Sequence, residues 1–498
     1  MILKDSFLWM VNRRILSGLH FNSSVVIAIF LLGFSSSLQA KSNRIPLPKP
    51  SSFRGISIGL DQSIWISGSR GVVLRCSQPQ SQIKVKSSSI TSQIIWDTVS
   101  PEGYDRYDFR DIESKDSNTA IIMSVSDSAR ILKSNDGGKH WKTVYQNFSS
   151  HVFLDAIDID WKSGIGLAIG DPQTLEELIA GDSSNAQTTQ YPFVQFNSSI
   201  QNTTNNCSDC PNIQSQGVHG SDIQNASPKQ FLFLISLDTG NSWHRVPFHQ
   251  AFIPSDSIAS FFAGSGSSLI IIKSNSKINK FNQIETFNIL VGMAGGGENP
   301  VFRVLKLTGE KNTDEVKSKT HQIPHSTGNK ITNPIHIQIE SRDYMLALGK
   351  GAGWGAYGGT YFQNYLYWVG GNYLFPAKGD STINSFSFKR IPSFNSKKIA
   401  PIKNSPTLIS KTSGYKSGIC GCTINNNHYL IAAGINGVDI SKNQGTSWQK
   451  FFSYDSLQTK ESEISRNKQI SFNSVACYQQ GVILIGNNGF IKYLPIMP

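Results

Sequence analysis

Short apolar runs separated by turn residues recur along the chain from Phe53 to its end. In each copy an aromatic-led run comes first, a second run ends in small residues and glycine, and a third run leads into a polar turn. The five clearest copies begin at Phe53, Phe109, Phe153, Tyr415 and Phe472. Two weaker copies, "IASFFAGSGSSLIII" and "GWGAYGG" with the runs after them, lie between the third and fourth of these. This pattern predicts β-strands, and no long amphipathic helix is predicted.

Seven copies of about four strands, at a basic spacing of about 40–50 residues, indicate a repeat architecture, and this spacing is typical of a β-propeller blade. We therefore predict an all-β fold, a seven-bladed β-propeller that occupies residues 41–498 as a single domain. An insertion at residues 173–229, which is rich in Asn, Gln, Ser and Thr, interrupts the third copy. Its composition is that of a low-complexity loop.

An eight-residue turn, S-x-D-x-G-x-x-W, occurs three times, as "SNDGGKHW", "SLDTGNSW" and "SKNQGTSW". Its Asp or Asn accepts hydrogen bonds from nearby backbone N–H groups, its Gly adopts a conformation that a Cβ resists, and its Trp packs over the hairpin. We predict that these turns are structural and lie far from any binding site. The pattern residues are Ser134, Asp136, Gly138, Trp141, Ser236, Asp238, Gly240, Trp243, Ser441, Asn443, Gly445 and Trp448.

The last copy supplies three strands and ends almost at the C-terminus, in "FIKYLPIMP". We predict that the segment Asn43 to Lys49, "NRIPLPK", provides the missing outer strand and closes the ring beside Ile491 to Leu494. Closure removes the exposed sheet edges that an open ring would leave. The alternative is that the prolines keep this segment irregular.

The first forty residues have the order of a signal peptide, with a basic start, the apolar run "VVIAIFLLGF" and the small-residue end "SLQA". We expect cleavage after Ala40 and a periplasmic or secreted protein without a stable membrane span; the alternative is an uncleaved anchor. The formal charge is +12, but its positive residues are scattered, so we expect no nucleic-acid partner.

The chemistry-bearing residues do not form a cofactor or metal motif. Of the six cysteines, Cys207 and Cys210 form one CxxC without a second pair, which favours a local disulfide or free thiols over zinc. The stretch "GAGWGA" fits a dinucleotide-binding pattern, but a strand-like run follows it rather than a helix. We therefore expect no cofactor and no metal.

The eight-residue turn resembles the Asp-box, or BNR, repeat of β-propellers. With "SFRGIS", "DFRDI", "AIGDP" and "GYKSG", the chain from about Asn43 onward resembles exported bacterial relatives of the photosystem II stability/assembly factor family. Such proteins are sometimes labelled oxidoreductases or BNR glycosidase-like proteins. The resemblance implies a seven-bladed propeller, and photosynthetic members of the family act as assembly chaperones. Asn443 replaces the usual Asp, and Lys416 stands where Arg is expected.

Aligning the copies by their leading aromatic brings polar residues to equivalent heights on the inner strands. The aligned set predicts a ring of three cations and two carboxylates at the mouth of the channel, which Asp171 joins. A convergent polar cluster of this kind is a candidate binding site, here for an anionic group. The alternative is a network of ion pairs that ties neighbouring blades together. The ring consists of Arg54, Arg110, Asp111, Asp155 and Lys416.

Two classes of function remain at this point. The first is an exported, monomeric binding or assembly module whose partner is an anionic small molecule, a glycan or a protein. The second is a glycan-acting hydrolase, sialidase-like or another glycosidase, with Asp111 and Asp155 as its acid/base pair. Because no nucleophile–base pattern is present, we favour binding, and whether the protein is an enzyme stays open.

Overall fold

The computed structural model describes residues 51–77, 95–125, 128–149, 152–174, 176–177, 194–196, 229–247, 249–262, 264–280, 283–298, 300–311, 335–346, 348–351, 353–376, 382–387, 407–453 and 471–497. The predicted signal peptide, the segment Asn43–Lys49, most of the 173–229 insertion and the Cys207–Cys210 motif lie outside this range. In the described part of the chain, no helix has the length and apolarity to cross a bilayer.

The described chain consists of β-strands and one short 3-10 turn at Gln250–Phe252, which confirms the predicted all-β class. The first thirteen strands are β1 (Phe53–Ile58), β2 (Ile64–Gly68), β3 (Val73–Cys76), β4 (Asp97–Thr98), β5 (Phe109–Ser114), β6 (Ala120–Ser124), β7 (Ala129–Ser134), β8 (Lys142–Asn147), β9 (Leu154–Asp160), β10 (Ile165–Thr174), β11 (Val194–Phe196), β12 (Lys229–Ser236) and β13 (His244–Arg245). The others are β14 (Leu269–Ile278), β15 (Ile284–Ala294), β16 (Val301–Lys311), β17 (Ile335–Met345), β18 (Trp354–Phe362), β19 (Tyr365–Asn372), β20 (Thr382–Ser387), β21 (Thr407–Lys411), β22 (Gly418–Ile424), β23 (Asn427–Gly434), β24 (Gly437–Ser441), β25 (Gln449–Phe452), β26 (Phe472–Tyr478), β27 (Gly481–Gly486) and β28 (Ile491–Pro495).

These strands form seven sheets, which we number 1 to 7 along the chain. Sheet 1 is β1–β4, sheet 2 is β5–β8, sheet 3 is β9, β10, β12 and β13, and sheet 4 is β14–β17 with β11 on its outer edge. Sheet 5 is β18–β21, sheet 6 is β22–β25, and sheet 7 is β26–β28. Apart from β11, which runs parallel to β17, neighbouring strands are antiparallel.

The second strand of each sheet contains a continuous run of apolar and small residues, because both of its faces are covered there. In β2, β6 and β27 every residue is buried. A continuous apolar run is the expected sequence for a strand with no solvent-facing side. Burying both faces requires each sheet to lie between two others.

Apolar clusters of the described residues fill each junction between consecutive sheets. Trp65 and Ile122 belong to the cluster between sheets 1 and 2. Phe53 packs with Ile483 in a cluster that joins sheet 1 to sheet 7. The first strands follow the same order, since each contacts the first strand of the next sheet and β26 contacts β1. A disulfide between Cys422 and Cys477 also connects sheets 6 and 7. We call the space that the seven first strands surround the central space.

The three S-x-D/N-x-G-x-x-W turns have the same hydrogen bonds. In the first, Ser134 Oγ donates to Asp136 Oδ1 and accepts from the Gly138 N–H, while Asp136 Oδ1 accepts from the N–H of His140. The equivalent bonds occur in the other two turns, including the one in which Asn443 replaces Asp. The side-chain oxygen of the Asp or Asn therefore accepts from the N–H four residues on. These bonds, with the His140 side chain, hold the pKa of Asp136 at about 2.

Two of these turns also connect neighbouring sheets through hydrogen bonds. Arg75, on sheet 1, donates to the carbonyl oxygen of Gly137 in the turn of sheet 2. Lys133, on sheet 2, donates to the carbonyl oxygen of Thr239 in the turn of sheet 3. A cation from the third strand of one sheet thus stabilises the turn of the next, which supports the structural role predicted for the turns.

Candidate functional site

The first strands of sheets 1, 2 and 7 carry a one-residue bulge at the same height. Phe53 pairs with Gly68 and Phe109 with Ser124, and in both cases the register shifts directly afterwards. The same shift follows Phe472 in sheet 7. A bulged residue has no partner in the ladder, and its side chain is aimed away from the regular alternation. In sheets 1 and 2 the residues after the leading phenylalanines are Arg54 and Arg110.

Sheets 3 and 6 differ by one residue from the alignment that the sequence suggested. Leu154, not Phe153, pairs opposite Gly170. In sheet 6, a Cβ at Gly434 would meet the Cα of Lys416, as a Cβ at Gly68 would meet the Cα of Phe53. Lys416 is therefore equivalent to the leading phenylalanines. Since a one-residue shift moves a strand side chain to the opposite face, Lys416 is buried and does not join the two arginines.

The two arginines converge on Asp108, a residue that the sequence prediction missed. Arg110 Nε lies 2.7 Å from Asp108 Oδ2, and Arg54 Nε lies 3.7 Å from Asp108 Oδ1. The arginine side chains are 26% and 27% exposed, and that of Asp108 is 17% exposed. The sequence contained one indication of this pair. In "DFRDI", Asp108 and Arg110 flank Phe109, and residues two apart in an extended chain point to the same side.

Burial lowers the pKa of Arg54, and the positive charge of Arg110 lowers it further, while Asp108 counteracts both. An arginine stays protonated at neutral pH despite such a shift. Among the described residues, no hydrogen bond is formed by the terminal nitrogens of Arg54, whose side chain is 26% exposed. These nitrogens are therefore able to donate to a ligand.

A group of aromatic side chains continues from Arg54 across the central space. Arg54 is close enough to Tyr415, which precedes sheet 6, for its positive charge to oppose the rise in the tyrosine pKa that burial causes. The rings of Tyr415 and Tyr357 have centroids 4.8 Å apart, and Tyr357 stacks on Phe262 at 4.1 Å. Tyr373, which is exposed, lies 6.0 Å from Tyr357. We call the end of the central space at which Arg54, Arg110 and Tyr415 lie the arginine end.

Asp111 does not face solvent at the arginine end. Only 3% of the residue is exposed, and its two carboxylate oxygens accept hydrogen bonds from the N–H groups of Ile112 and Ile157, at 2.8 and 2.9 Å. The second bond connects sheet 2 to sheet 3. Burial raises the pKa of Asp111 well above its ordinary range. Its role is to join two sheets, as the ion-pair alternative had anticipated for the ring in general.

A loop of sheet 4, residues 264–268, lies across the central space beside Asp111. A Cβ on Gly266 would collide with the Asp111 carboxylate, and the φ of Gly266 is +77°. In the same loop, Ser265 Oγ donates to the Tyr357 carbonyl oxygen at 3.3 Å, and Ser267 Oγ accepts from the Gly359 N–H at 3.2 Å. The loop thus spans from sheet 2 to sheet 5 and forms a floor beneath the arginine end.

The other predicted carboxylates belong to sheet 3. Asp155 stands at the bulge, equivalent to Arg54, but only 1% of it is exposed. Asp171 accepts a hydrogen bond from the Phe261 N–H, and burial raises its pKa to about 6. With Asp111 and Asp155 both buried, the described structure offers no accessible carboxyl pair at these positions for a glycan-acting hydrolase.

Lys416 forms an ion pair in the interior. Its Nζ lies 3.2 Å from Asp439 Oδ2, and the two side chains are 0% and 1% exposed. Lys416 also donates to Ser413 Oγ and to the Gly437 carbonyl oxygen. Burial lowers the pKa of Lys416, and the negative charge of Asp439 opposes this. An enclosed ammonium with three partners is not accessible to a ligand.

The described residues contain no group of three His, Cys, Asp or Glu side chains arranged to hold a metal ion. The arginine end presents two guanidinium groups and one carboxylate between them. The aromatic side chains that begin at Tyr415 lie beside these groups, and the 264–268 loop lies beneath them. Guanidinium groups bind carboxylates and phosphates through paired hydrogen bonds. The arrangement is therefore suited to holding an anionic group.

No family model matches the chain, and no curated protein sequence matches it. Among solved structures, the chain is similar to YCF48 from Cyanidioschyzon merolae, at 11% identity over 90% of this chain and 97% of that chain, with a TM-score of 0.41. It is also similar to YCF48 bound to D1 peptide, at 9% identity over 91% of this chain and 97% of that one, with a TM-score of 0.39. A third similar structure is the computationally designed Ika8 protein, at 9% identity over 90% of this chain and 97% of that one, with a TM-score of 0.37. At these scores the likenesses carry no argument, and the functional conclusion rests on the residues of this chain.

Proposed function

We propose that the protein is an exported binding module, built as a seven-bladed β-propeller, which holds an anionic group of its partner at the arginine end. The observation that carries the proposal is the convergence of Arg54 and Arg110, from neighbouring sheets, on one partly open position. The partner is a small molecule, a glycan or a protein that presents such a group.

The propeller architecture is supported by the order of contacts between sheets. Consecutive first strands contact one another, and β1 also contacts β26. Both faces of each sheet are thereby covered, which is how a propeller protects its blades. In this architecture the central space is the channel of the propeller.

We further propose that Asn43–Lys49 forms the fourth strand of sheet 7. Sheet 7 has three described strands, and the N–H of Gly489 donates to the Ser51 carbonyl oxygen at 2.7 Å, directly before β28 begins. The chain that leads into Ser51 is thus next to the start of β28. A run of seven residues from there is long enough to pair along β28, which has five residues.

Export is proposed from the order of the first forty residues: basic, apolar, then small. N-terminal sequencing of the protein recovered from the exported fraction should begin at Lys41. A mature chain that begins at Met1 would refute cleavage after Ala40.

The anion-binding proposal is tested by thermal unfolding in the presence of acetate, glucuronate, N-acetyl-leucinate or methyl phosphate. Ionic strength is held constant, because salt screens exposed charges. We expect at least one of these anions to raise the melting temperature of the wild-type protein. Arg54→Gln and Arg110→Gln should each abolish the increase, while the melting temperature without ligand stays close to that of the wild type.

Lys142→Gln is the matched control. Lys142 is exposed on β8, the outer strand of sheet 2, so its substitution removes one positive charge away from the arginine end. The control should retain the full increase. If no anion stabilises the wild type, or if both arginine variants unfold, the two arginines are part of a structural ion-pair network and the binding site lies elsewhere.

A further inference from the structure

Asp108 lies between the two arginines. Its Oδ2 accepts a hydrogen bond from Arg110 Nε, whereas its Oδ1 lies 3.7 Å from Arg54 Nε, which is an ion-pair distance and too long for a hydrogen bond. The hydrogen bond orients Arg110, and the ion pair keeps Asp108 beside Arg54.

The carboxylate also changes the charge of the site. Two guanidinium groups and one carboxylate leave a net charge of one positive unit. An incoming monoanion neutralises this charge and is repelled once by Asp108, whereas a dianion is repelled twice by Asp108 and so loses more of the attraction of the two arginines. At about 4 Å, a pair of unit charges in water interacts by roughly 1 kcal/mol, which is about a fivefold change in affinity.

We infer that Asp108 is a built-in counter-anion that shifts the preference of the arginine end towards a single carboxylate and away from a phosphate dianion. This inference rests on the proposed function, since it concerns the same two arginines. The ligand class that it assigns is a monoanionic carboxylate, such as that of a polypeptide or of an acidic sugar.

Tyr415 is consistent with a carboxylate ligand. Burial raises its pKa, so its hydroxyl remains protonated at neutral pH and is available as a donor. The hydroxyl adds a neutral donor beside Arg54 without adding charge. A neutral donor improves the binding of a carboxylate and does not offset the second charge of a dianion.

The test measures the dissociation constants of acetate and of methyl phosphate at pH 8, by titration calorimetry at constant ionic strength. A phosphate monoester has its second pKa near about 6, so it is a dianion there. Asp108→Asn removes one repulsion for acetate and two for methyl phosphate. Affinity should rise about fivefold for acetate and about thirtyfold for methyl phosphate, which shifts the preference about sixfold towards methyl phosphate.

Two further variants serve as controls. Asp108→Glu keeps the charge and should keep the wild-type preference. Asp105→Asn removes an exposed carboxylate a few residues away and should change neither affinity. Asp108→Ser, in addition, gives a second neutral variant if the asparagine variant fails to fold.

The inference is overturned if neutral variants at position 108 change both affinities by the same factor. It is overturned together with the proposed function if no variant binds either anion, or if Arg54→Gln binds both as the wild type does. Retained binding of acetate with no effect of the substitutions at 108 contradicts the inference alone. Comparing glucuronate with N-acetyl-leucinate then distinguishes a sugar acid from a polypeptide carboxylate as the source of the ligand group.

Discussion

Lys416 Nζ and Asp439 Oδ2 lie 3.2 Å apart in the interior of sheet 6, with neither side chain accessible to solvent. Asp439 also accepts hydrogen bonds from the N–H and the hydroxyl of Ser413. This pair anchors the segment that precedes β22, and with it the backbone of Tyr415 at the arginine end. Lys416, which the sequence suggested as a ligand contact, thus has a structural role: it holds the backbone next to Tyr415 in place.

Lys416→Met should destabilise the protein by about 3–5 kcal/mol, because it leaves the Asp439 carboxylate buried without its counter-charge. Chemical denaturation measures this loss. The double variant Lys416→Met/Asp439→Leu should be more stable than the single one, since it removes both charges. A Lys416→Met protein with wild-type stability that no longer binds anions would show instead that Lys416 contacts the ligand.

Gly266→Ala should lower stability because the new methyl group meets the Asp111 carboxylate and the backbone has a positive φ. We expect a loss of more than about 3 kcal/mol in the free energy of unfolding, above the roughly 1–3 kcal/mol that backbone strain alone costs. Loss of the floor should also weaken anion binding in the folded fraction.

Gly103→Ala is the matched control for this variant. Gly103 has a φ of +80°, close to that of Gly266, but a Cβ there has nothing within 4 Å. Both variants therefore carry similar backbone strain, and the difference between their unfolding free energies measures the collision alone. Equal losses in the two proteins would mean that the 264–268 loop is not packed on Asp111.

Asp136→Ala should cost about 1 kcal/mol of stability, because it removes the acceptor of the His140 N–H from an exposed turn where water can replace it. Anion binding should be unchanged, since the turn is a joint between sheets 1 and 2. Lys139→Ala, in the same turn, serves as the control and should have no effect on stability. Loss of anion binding in a folded Asp136→Ala protein would contradict the structural role of the turn.

Stability should fall as the pH rises from about 4 to 7. Burial raises the pKa of Asp158 from its ordinary 3.8 to about 6, so the folded protein binds this proton more tightly than the unfolded chain. The stabilisation is complete below the unfolded pKa and is lost as the pH rises through the folded one. The loss attributable to Asp158 is on the order of 2 kcal/mol.

Asp158→Asn should flatten this pH dependence, because asparagine is neutral throughout and still accepts the hydrogen bond from the Ile271 N–H. Denaturation curves of both proteins at several pH values between 4 and 7 provide the comparison. An unchanged slope in the Asp158→Asn variant would refute a raised pKa at this position.

The all-β class and the three turns could be predicted from the sequence because they depend on local patterns. Apolar runs of strand length predict strands, and the S-x-D-x-G-x-x-W spacing specifies its own hydrogen bonds. The pairing of Leu154 opposite Gly170 could not be predicted in this way. Phe153 and Tyr415 are aromatic and directly precede Leu154 and Lys416. From the sequence alone they therefore matched the leading aromatic position, which Leu154 and Lys416 occupy in the structure.

The candidate site was predicted in part for the same reason. Arg54 and Arg110 occupy bulges in copies whose leading residue is an unambiguous phenylalanine, and their positions were correctly aligned. Lys416 was misplaced because a buried lysine at a core position is unusual, and only the presence of Asp439 on β24 makes it stable. Asp108 was missed because it precedes the first strand of sheet 2, and the alignment of the copies began at the leading aromatic residue of each strand.

A crystal structure of the protein soaked with N-acetyl-leucinate will show whether the arginine end holds a carboxylate. We expect the ligand carboxylate within hydrogen-bonding distance of the terminal nitrogens of Arg54, above the 264–268 floor. A carboxylate bound at another surface, without contact to Arg54 or Arg110, would contradict this prediction.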